Sequence, residues 1–313
     1  MRDVVLLFPG QGSQAPGMGK DLAERHVEAR DVFDAADDAI GVPLSRMCFE
    51  GPADVLTLTL NAQPALLTHA AAVWAVVRAA VAPRVVAAAG HSLGEFAAYH
   101  AADALALPEA VRIVRTRGEL MFEAGNKRPG AMAAILGEMD VSADELCRLA
   151  ATDGIVVPAN FNSPGQLVIS GEVACVERAM ILAREHGAKR AIRLTVSGAF
   201  HSPLMAEAAR GLAAALDAAH FSNPRFPVYA NVNAQPVTDA ALARRLLLEQ
   251  LTSPVQWTRE IEAMTSLLPD ALYVEMGPGS VLKGLVKKIA PAVTVVTCGT
   301  AADVDALLER MAA

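Results

Sequence analysis

Aromatic residues are scarce in this 313-residue chain, at 4% against 53% hydrophobic residues in all. The apolar content is therefore carried by Ala, Val and Leu, which suit helices packed on a sheet. Excess positive charge is also lacking. Lys and Arg total 27 against 34 Asp and Glu, a net charge of −7. Neutralising a phosphate backbone needs a clustered basic surface, so this balance argues against nucleic-acid binding. It leaves room for an acidic partner that docks on a local basic patch. Cysteine is sparse and scattered. Cys48, Cys147, Cys175 and Cys298 form no C-x-x-C pair and have no histidine cluster beside them. That speaks against a disulfide framework or a zinc site and for reduced, buried thiols; no metal site is expected. Long unbroken apolar runs are missing too. The N-terminal run stops at Pro9-Gly10, too short for a signal peptide. The most apolar stretch, 70–90, is interrupted by Arg78, Pro83 and Arg84. No membrane span is expected, and a cytoplasmic protein is the default. Neither repeats nor low-complexity segments occur.

What is present is an alternation. "VVLLF" (4–8) is a continuous apolar, β-branched run ended by Pro-Gly, as in a parallel strand buried on both faces. "VVAAAG" (85–90), "PVYANV" (227–232), "ALYVEMG" (271–277) and "VTVVTCG" (293–299) read likewise. Helical spacing fills 17–39, 62–82, 94–105, 108–124, 202–219, 239–250 and 258–268. Strands alternating with helices imply an α/β fold, a parallel sheet covered on both faces. The middle differs. Strands at 130–137, 155–162, 165–171 and 188–196, with helices at 142–152 and 172–186, give the order βαββαβ. That order describes a ferredoxin-like module. The expected organisation is a large α/β-hydrolase-like domain, 1–126 plus 197–313, with a small ferredoxin-like domain inserted at 127–196.

The chemistry begins at "AAAGHSLGEF" (87–96), where a strand leads through G-x-S-x-G into a helix. In that context the motif is a nucleophile elbow: a strained turn between Gly90 and Gly94 that pushes the Ser92 hydroxyl out at the carboxyl end of the sheet. The following helix aims its free N–H groups at the same point, so Leu93 N–H is placed to hold an oxyanion. A serine hydroxyl needs a base. His26, His186 and His220 lie in polar helical stretches, and His69 and His100 on Ala-rich helices. His91 adjoins Ser92, but neighbours on an extended backbone point to opposite sides. His201, in the strand-end loop "VSGAFHSPLM" (196–205), is the leading base.

"FPGQGSQ" (8–14), "GHSLGEF" (90–96), "RTRGELM" (115–121), "GAFHSPLM" (198–205) and "EMGPGSVL" (275–282) occur in this order. Together they resemble malonyl-CoA:acyl-carrier-protein transacylases, and the acyltransferase domains of polyketide synthases, over nearly the whole chain. The resemblance implies that Ser92 takes the malonyl group from coenzyme A and that His201 activates it. It implies that a main-chain carbonyl at Gln250 orients the histidine in place of an Asp, and that Gln11 joins Leu93 as an oxyanion donor. Arg117 would grip the malonyl carboxylate with two parallel hydrogen bonds. Phe200, beside the histidine, would favour malonyl over methylmalonyl by filling the space at the 2-position. Asn160 and Asn162 either line the cleft or form the turn before Pro164. Two positions depart from the family pattern, Phe122 where Gln is common and Asp103 where Gly is usual.

The substrates implied are malonyl-CoA and the phosphopantetheine thiol of an acyl carrier protein, with no bound cofactor. Carrier proteins are acidic, so docking would use a basic patch, with candidates Lys127, Arg128, Lys189, Arg190, Arg193, Lys283, Lys287 and Lys288. Fatty-acid and polyketide synthesis both fit, and a monomer is the default. The alternative on the same fold is a serine thioesterase that edits carrier-bound acyl chains; Arg117 argues against it, because an uncharged acyl group has no use for a carboxylate clamp.

Overall fold

The computed structural model describes residues 2–196 and 198–312. Ser197, where the second part of the large domain is expected to start, lies outside the described residues, as do Met1 and Ala313. The strands, in chain order, are β1 (Val4–Phe8), β2 (Val85–Gly90), β3 (Gly130–Leu136), β4 (Val156–Ser163), β5 (Gln166–Glu172), β6 (Arg190–Arg193), β7 (Val228–Tyr229), β8 (Pro236–Val237), β9 (Leu272–Met276) and β10 (Thr294–Cys298). They form two sheets. The first has the order β10-β9-β1-β2-β7-β8 and the second β4-β5-β3-β6.

In the first sheet β10, β9, β1, β2 and β7 are parallel. β1 lies at its centre and explains its own sequence. Val4, Leu6 and Phe8 enter one apolar cluster, while Val5 and Leu7 enter another on the opposite face, so every position must be apolar. Phe8 pairs with Gly90. The carboxyl ends of β1 and β2 therefore emerge side by side, the place where open α/β sheets bind ligands. The helix Thr59–Val81 runs through the core against the helix Leu107–Lys127. By length and composition Thr59–Arg84 could cross a membrane, but 67% of its apolar window is buried inside the fold, as in a core helix.

The second sheet is antiparallel throughout. The helices Ala143–Ala150 and Val173–Glu185 cover it, and Ile135, Leu146, Ile169 and Val176 form its own core. Met132, Ala159 and Val168 instead join the large apolar cluster, so the sheet is sandwiched between its helices and the main body.

Several expected elements differ. The segment 17–39 is two helices, Lys20–Arg25 and Val27–Ile40, because His26 between them is extended (φ −126°, ψ 120°). "PVYANV" is a strand only at Val228–Tyr229. Ala230 N–H donates to Gln235 O and the chain turns back into β8, which is antiparallel to β7; the sheet thus ends in an antiparallel edge. "AKRAIRLTV" is a strand only at Arg190–Arg193, since its pairing with β3 ends at Ala133. The helices Leu44–Glu50, Ala53–Thr57, Val281–Ile289 and Ala301–Ala312 carry too short or too mixed an apolar pattern to be read beforehand. All four cysteines are buried and unpaired.

Candidate active site

The elbow is built by two glycines that have no alternative. A Cβ on Gly90 would lie 1.9 Å from the Gly94 carbonyl carbon, and one on Gly94 would lie 2.1 Å from Phe8 O. Both clashes are with backbone, which cannot step aside. Between the glycines Ser92 adopts φ 51°, the left-handed region that a non-glycine residue occupies only under constraint. His91 N–H donates to Phe8 O at 2.9 Å and ties the turn to β1.

His201 comes from a second tight turn and is also left-handed, at φ 55°. The Ser202 hydroxyl closes that turn by donating to Ala199 O at 2.6 Å. Ser92 Oγ lies 2.8 Å from His201 Nε2. On the other side of the ring, Nδ1 faces Gln250 O at 2.9 Å and Ser253 O at 3.2 Å. Carbonyl oxygens only accept, so Nδ1 carries the proton and Nε2 turns its lone pair to the serine. No carboxylate shares this job. Burial, and then the Arg117 guanidinium, push the His201 pKa from 6.5 down to about 3. The imidazole is neutral, and so able to take a proton, across the ordinary pH range.

Arg117 is 1% exposed. Its Nη1 donates to Gln63 Oε1 at 2.6 Å, and its Nη2 to Gln250 Oε1 at 2.9 Å and towards Ser92 Oγ at 3.3 Å. It lies over the Phe96 ring at 5.7 Å. Burial lowers its pKa from 12.5 to about 10, with Glu95 opposing the shift, so it stays charged at neutral pH. No carboxylate among the described residues touches it. Glu95 acts on it through the Gln250 amide, whose Nε2 donates to Glu95 Oε2 at 2.7 Å and to Ser92 O at 2.9 Å. Burial pushes the Glu95 carboxyl up to about 7, against the hydrogen bonds of Gln250 and Asn231 and the charge of Arg117. Arg112 and Arg115, on the same helix, face elsewhere: Arg112 donates to Ala39 O, and Arg115 pairs with Glu119 and Asn61.

Ser92, His201 and Arg117 line a cavity of about 290 Å³, together with Gln11, Leu93 and Phe200. Gln11, Thr57 and Leu194–Val196 also line an adjoining cleft of about 790 Å³, so the chamber continues outward. The larger cleft, about 860 Å³, touches this group only at His201. The Gln11 side chain is turned to Thr59 Oγ1 at 3.2 Å, away from the serine. The main-chain N–H groups of Gln11 and Leu93 donate to no other described residue. Asn160 lines the cavity. Asn162 instead holds His91, with Oδ1 2.8 Å from Nε2; with the Trp257 ring at 5.6 Å, this keeps the His91 ring off Ser92 Oγ.

Of the two departures, Phe122 does not line the cavity. Asp103 sits at φ 59° and bridges Arg78 at 2.8 Å and Arg225 at 3.1 Å. A left-handed position where glycine is usual is here held by two ion pairs. Sequence reasoning passed over Gln63, Glu95, Asn231 and Glu260, all buried around the elbow. Glu95 carried a signal, an acid on the Ala-rich helix that starts inside the motif. Glu260 carried none, because its helix reads as an ordinary amphipathic one.

A serine hydroxyl hydrogen-bonded to a neutral imidazole, on a strained turn at a sheet's carboxyl edge, is the apparatus of acyl transfer through a serine ester. The chain belongs to the acyl transferase domain family, which matches residues 5–305, and it is an acyltransferase. It is 48% identical to the malonyl CoA-acyl carrier protein transacylase of Bacillus subtilis, over 92% of this chain and 91% of the relative. Among solved structures it resembles the acyl-carrier-protein-S-malonyltransferase of Bartonella henselae (TM-score 0.94, 42% identity, 99% of this chain and 100% of that one). It also resembles a malonyl-transacylase in complex with its type II PKS acyl-carrier protein (TM-score 0.93, 39% identity, 98% and 99%).

Proposed function

We propose that this chain moves a malonyl group from malonyl-CoA to the phosphopantetheine thiol of an acyl carrier protein, through a malonyl ester on Ser92. The observation that carries the choice of acyl group is Arg117: a buried guanidinium that lines the cavity, reaches Ser92 Oγ at 3.3 Å and touches no carboxylate among the described residues. An acyl chain ending in a carboxylate supplies the missing partner, and an uncharged acyl group leaves the cation buried and unpaired.

Ser92 Oγ attacks the thioester carbonyl carbon and its proton passes to His201 Nε2, while Gln250 O holds the Nδ1 proton in place. The oxyanion faces the N–H groups of Leu93 and Gln11. The intermediate collapses, the C–S bond breaks, and the coenzyme A sulfur leaves with the proton from Nε2. The carrier-protein thiol then enters and the steps run in reverse order. The acyl group arrives and departs as a thioester, so no bound cofactor is needed. Every group named comes from one chain, which suits a monomer, and a cytoplasmic location accords with buried, unpaired thiols. Phe200, at the cavity wall beside His201, favours malonyl over its 2-methyl relative. For the carrier protein, Lys189, Arg190, Lys283, Lys287 and Lys288 make no ion pair among the described residues, whereas Lys127, Arg128 and Arg193 are paired with Glu207, Glu172 and Glu177. The first five are therefore the better docking charges.

Intact mass after brief mixing with malonyl-CoA, then a chase with phosphopantetheinylated carrier protein, tests this. A malonyl adduct on Ser92 that moves to the carrier is expected. Arg117→Ala should slow malonyl loading by about 100-fold, the worth of charge-assisted hydrogen bonds, and leave acetyl loading far less affected. An adduct lost to water equally fast without carrier would identify an editing thioesterase instead.

A further inference from the structure

We propose that Asn231, locked in orientation by Glu260, is a positioning residue for the nucleophile: it holds the Ser92 main chain in the left-handed conformation that presents Oγ to His201. The inference rests on Ser92 being the acyl acceptor.

Asn231 is fully buried and lies two residues beyond β7. β7 pairs with β2, Tyr229 opposite Ala89, so Asn231 stands next to the end of β2 where the elbow begins. Its Oδ1 accepts from Ser92 N–H at 2.7 Å. Its Nδ2 donates to Gly90 O at 2.8 Å, on the other side of the same turn. One amide thus spans the elbow from its entry to its apex. The main chain of Asn231 is tied as firmly, N–H to Glu95 Oε2 at 3.1 Å and O to Gln256 N–H at 2.9 Å.

The grip depends on which end of the amide faces the serine. Nδ2 also faces Glu260 Oε1 at 3.0 Å and Oε2 at 3.2 Å. With Gly90 O as a fixed acceptor on that side, a flipped amide would set oxygen against oxygen there. It would also set an NH2 group against Ser92 N–H. Glu260 is itself fully buried and makes no other side-chain hydrogen bond among the described residues. A buried carboxyl is costly on a helix that could carry an apolar residue in its place, and its hydrogen bonds with Asn231 offset that cost. There is a consequence for the transition state. Ser92 N–H is already taken, so the oxyanion must use the next amides, those of Leu93 and Gln11.

The test is the rate of malonyl-adduct formation per folded molecule, against malonyl-CoA concentration, for wild type, Asn231→Ala, Asn231→Asp and Asn231→Asp combined with Glu260→Gln. Asn231→Ala should load about 10–100-fold more slowly, as expected for a misplaced reacting group, with half-saturation changed far less, because Asn231 does not line the cavity and reaches Arg117 only through the 3.2 Å hydrogen bond it accepts from Gln250 Nε2, an amide that Glu95 and Ser92 O also hold. Asn231→Asp keeps the acceptor for Ser92 but opposes Glu260, so it should be similarly slow. Adding Glu260→Gln returns a donor to the pair and should recover most of that loss, which a merely structural lesion would not show. Should Asn231→Ala fail to fold, Glu260→Gln alone serves: it replaces one of the two acceptors facing Nδ2 with a donor, loosens the amide's hold on the turn and should slow loading several-fold at unchanged half-saturation. Wild-type loading in Asn231→Ala or in Glu260→Gln, an effect confined to half-saturation, or no recovery in the double variant would overturn the inference. Absence of a Ser92 adduct in wild type would instead overturn the functional reading beneath it.

Discussion

Ser92 and His201 meet at 2.8 Å from turns more than 100 residues apart, each in a backbone conformation that side chains avoid. Neither strain is visible in the residue itself. Ser92 is read from its motif, because Gly-x-Ser-x-Gly between a strand and a helix leaves the serine few other conformations. His201 is read by elimination among seven histidines and then by family resemblance. Its carbonyl partners at Gln250 and Ser253 have no side-chain signature at all, since any residue carries a carbonyl. The burial that keeps the His201 imidazole neutral also has a stability signature. Its folded pKa, about 3, lies below the ordinary 6.5. Between those values the unfolded chain binds the extra proton, so stability rises with pH and is lost as pH falls from 6.5 towards 3. His201→Gln should remove that contribution. Urea titrations at pH 7.5 and pH 4.5 should show wild type losing more stability than the variant on acidification, and equal losses would contradict the assignment.

At the scale of elements, the continuous apolar run of β1 was legible because burial on both faces forbids polar residues there, and β2, β9 and β10 were legible from mostly apolar runs, although β9 also buries Glu275, which accepts from Leu282 and Lys283 N–H. β7 and β6 are shorter than the runs read for them, as strand length is decided by where the chain leaves its partner and not by propensity. The elbow joins an element argument to a chemical one. Gly94→Ala must push a methyl into Phe8 O, so loading of Ser92 should fall by about 100-fold or more and the melting temperature should drop with it. Gly284, inside the helix Val281–Ile289, has open space where a Cβ would go. Gly284→Ala should therefore stabilise by about 0.5–1 kcal/mol and leave loading unchanged. Calorimetry and the loading assay on the pair separate backbone contact from helix propensity; equal effects of the two changes would refute the steric account.

Over the whole molecule, the two sheets are joined through β4. Phe161 N–H donates to Val255 O, Val255 N–H to Ala159 O, and Thr258 Oγ1 to Phe161 O, at 2.9, 2.8 and 2.9 Å. Those bonds keep the cavity wall at Met132 and Asn160 facing the elbow. Cohesion does not depend on disulfides. All four thiols are buried, and burial pushes Cys48, Cys147 and Cys298 up to about 12. An aromatic disulfide reagent should find no fast-reacting thiol in the native protein and four after denaturation, and reductant should leave the melting temperature unchanged. A fast native thiol would contradict this burial.

The sequence by itself determined the alternation of strands and helices, the inserted βαββαβ segment and the elbow, because those depend on local period, on turn chemistry and on glycines whose absence of a side chain is itself the signal. Only the tertiary structure decided that Gln250 serves His201 with its main chain and Arg117 with its side chain. Only there, too, do Asn231 and Glu260, distant in sequence from Ser92, close around its backbone. Such groups are chosen by proximity after folding, and a buried carboxyl on a helix looks, in sequence, like any solvated one.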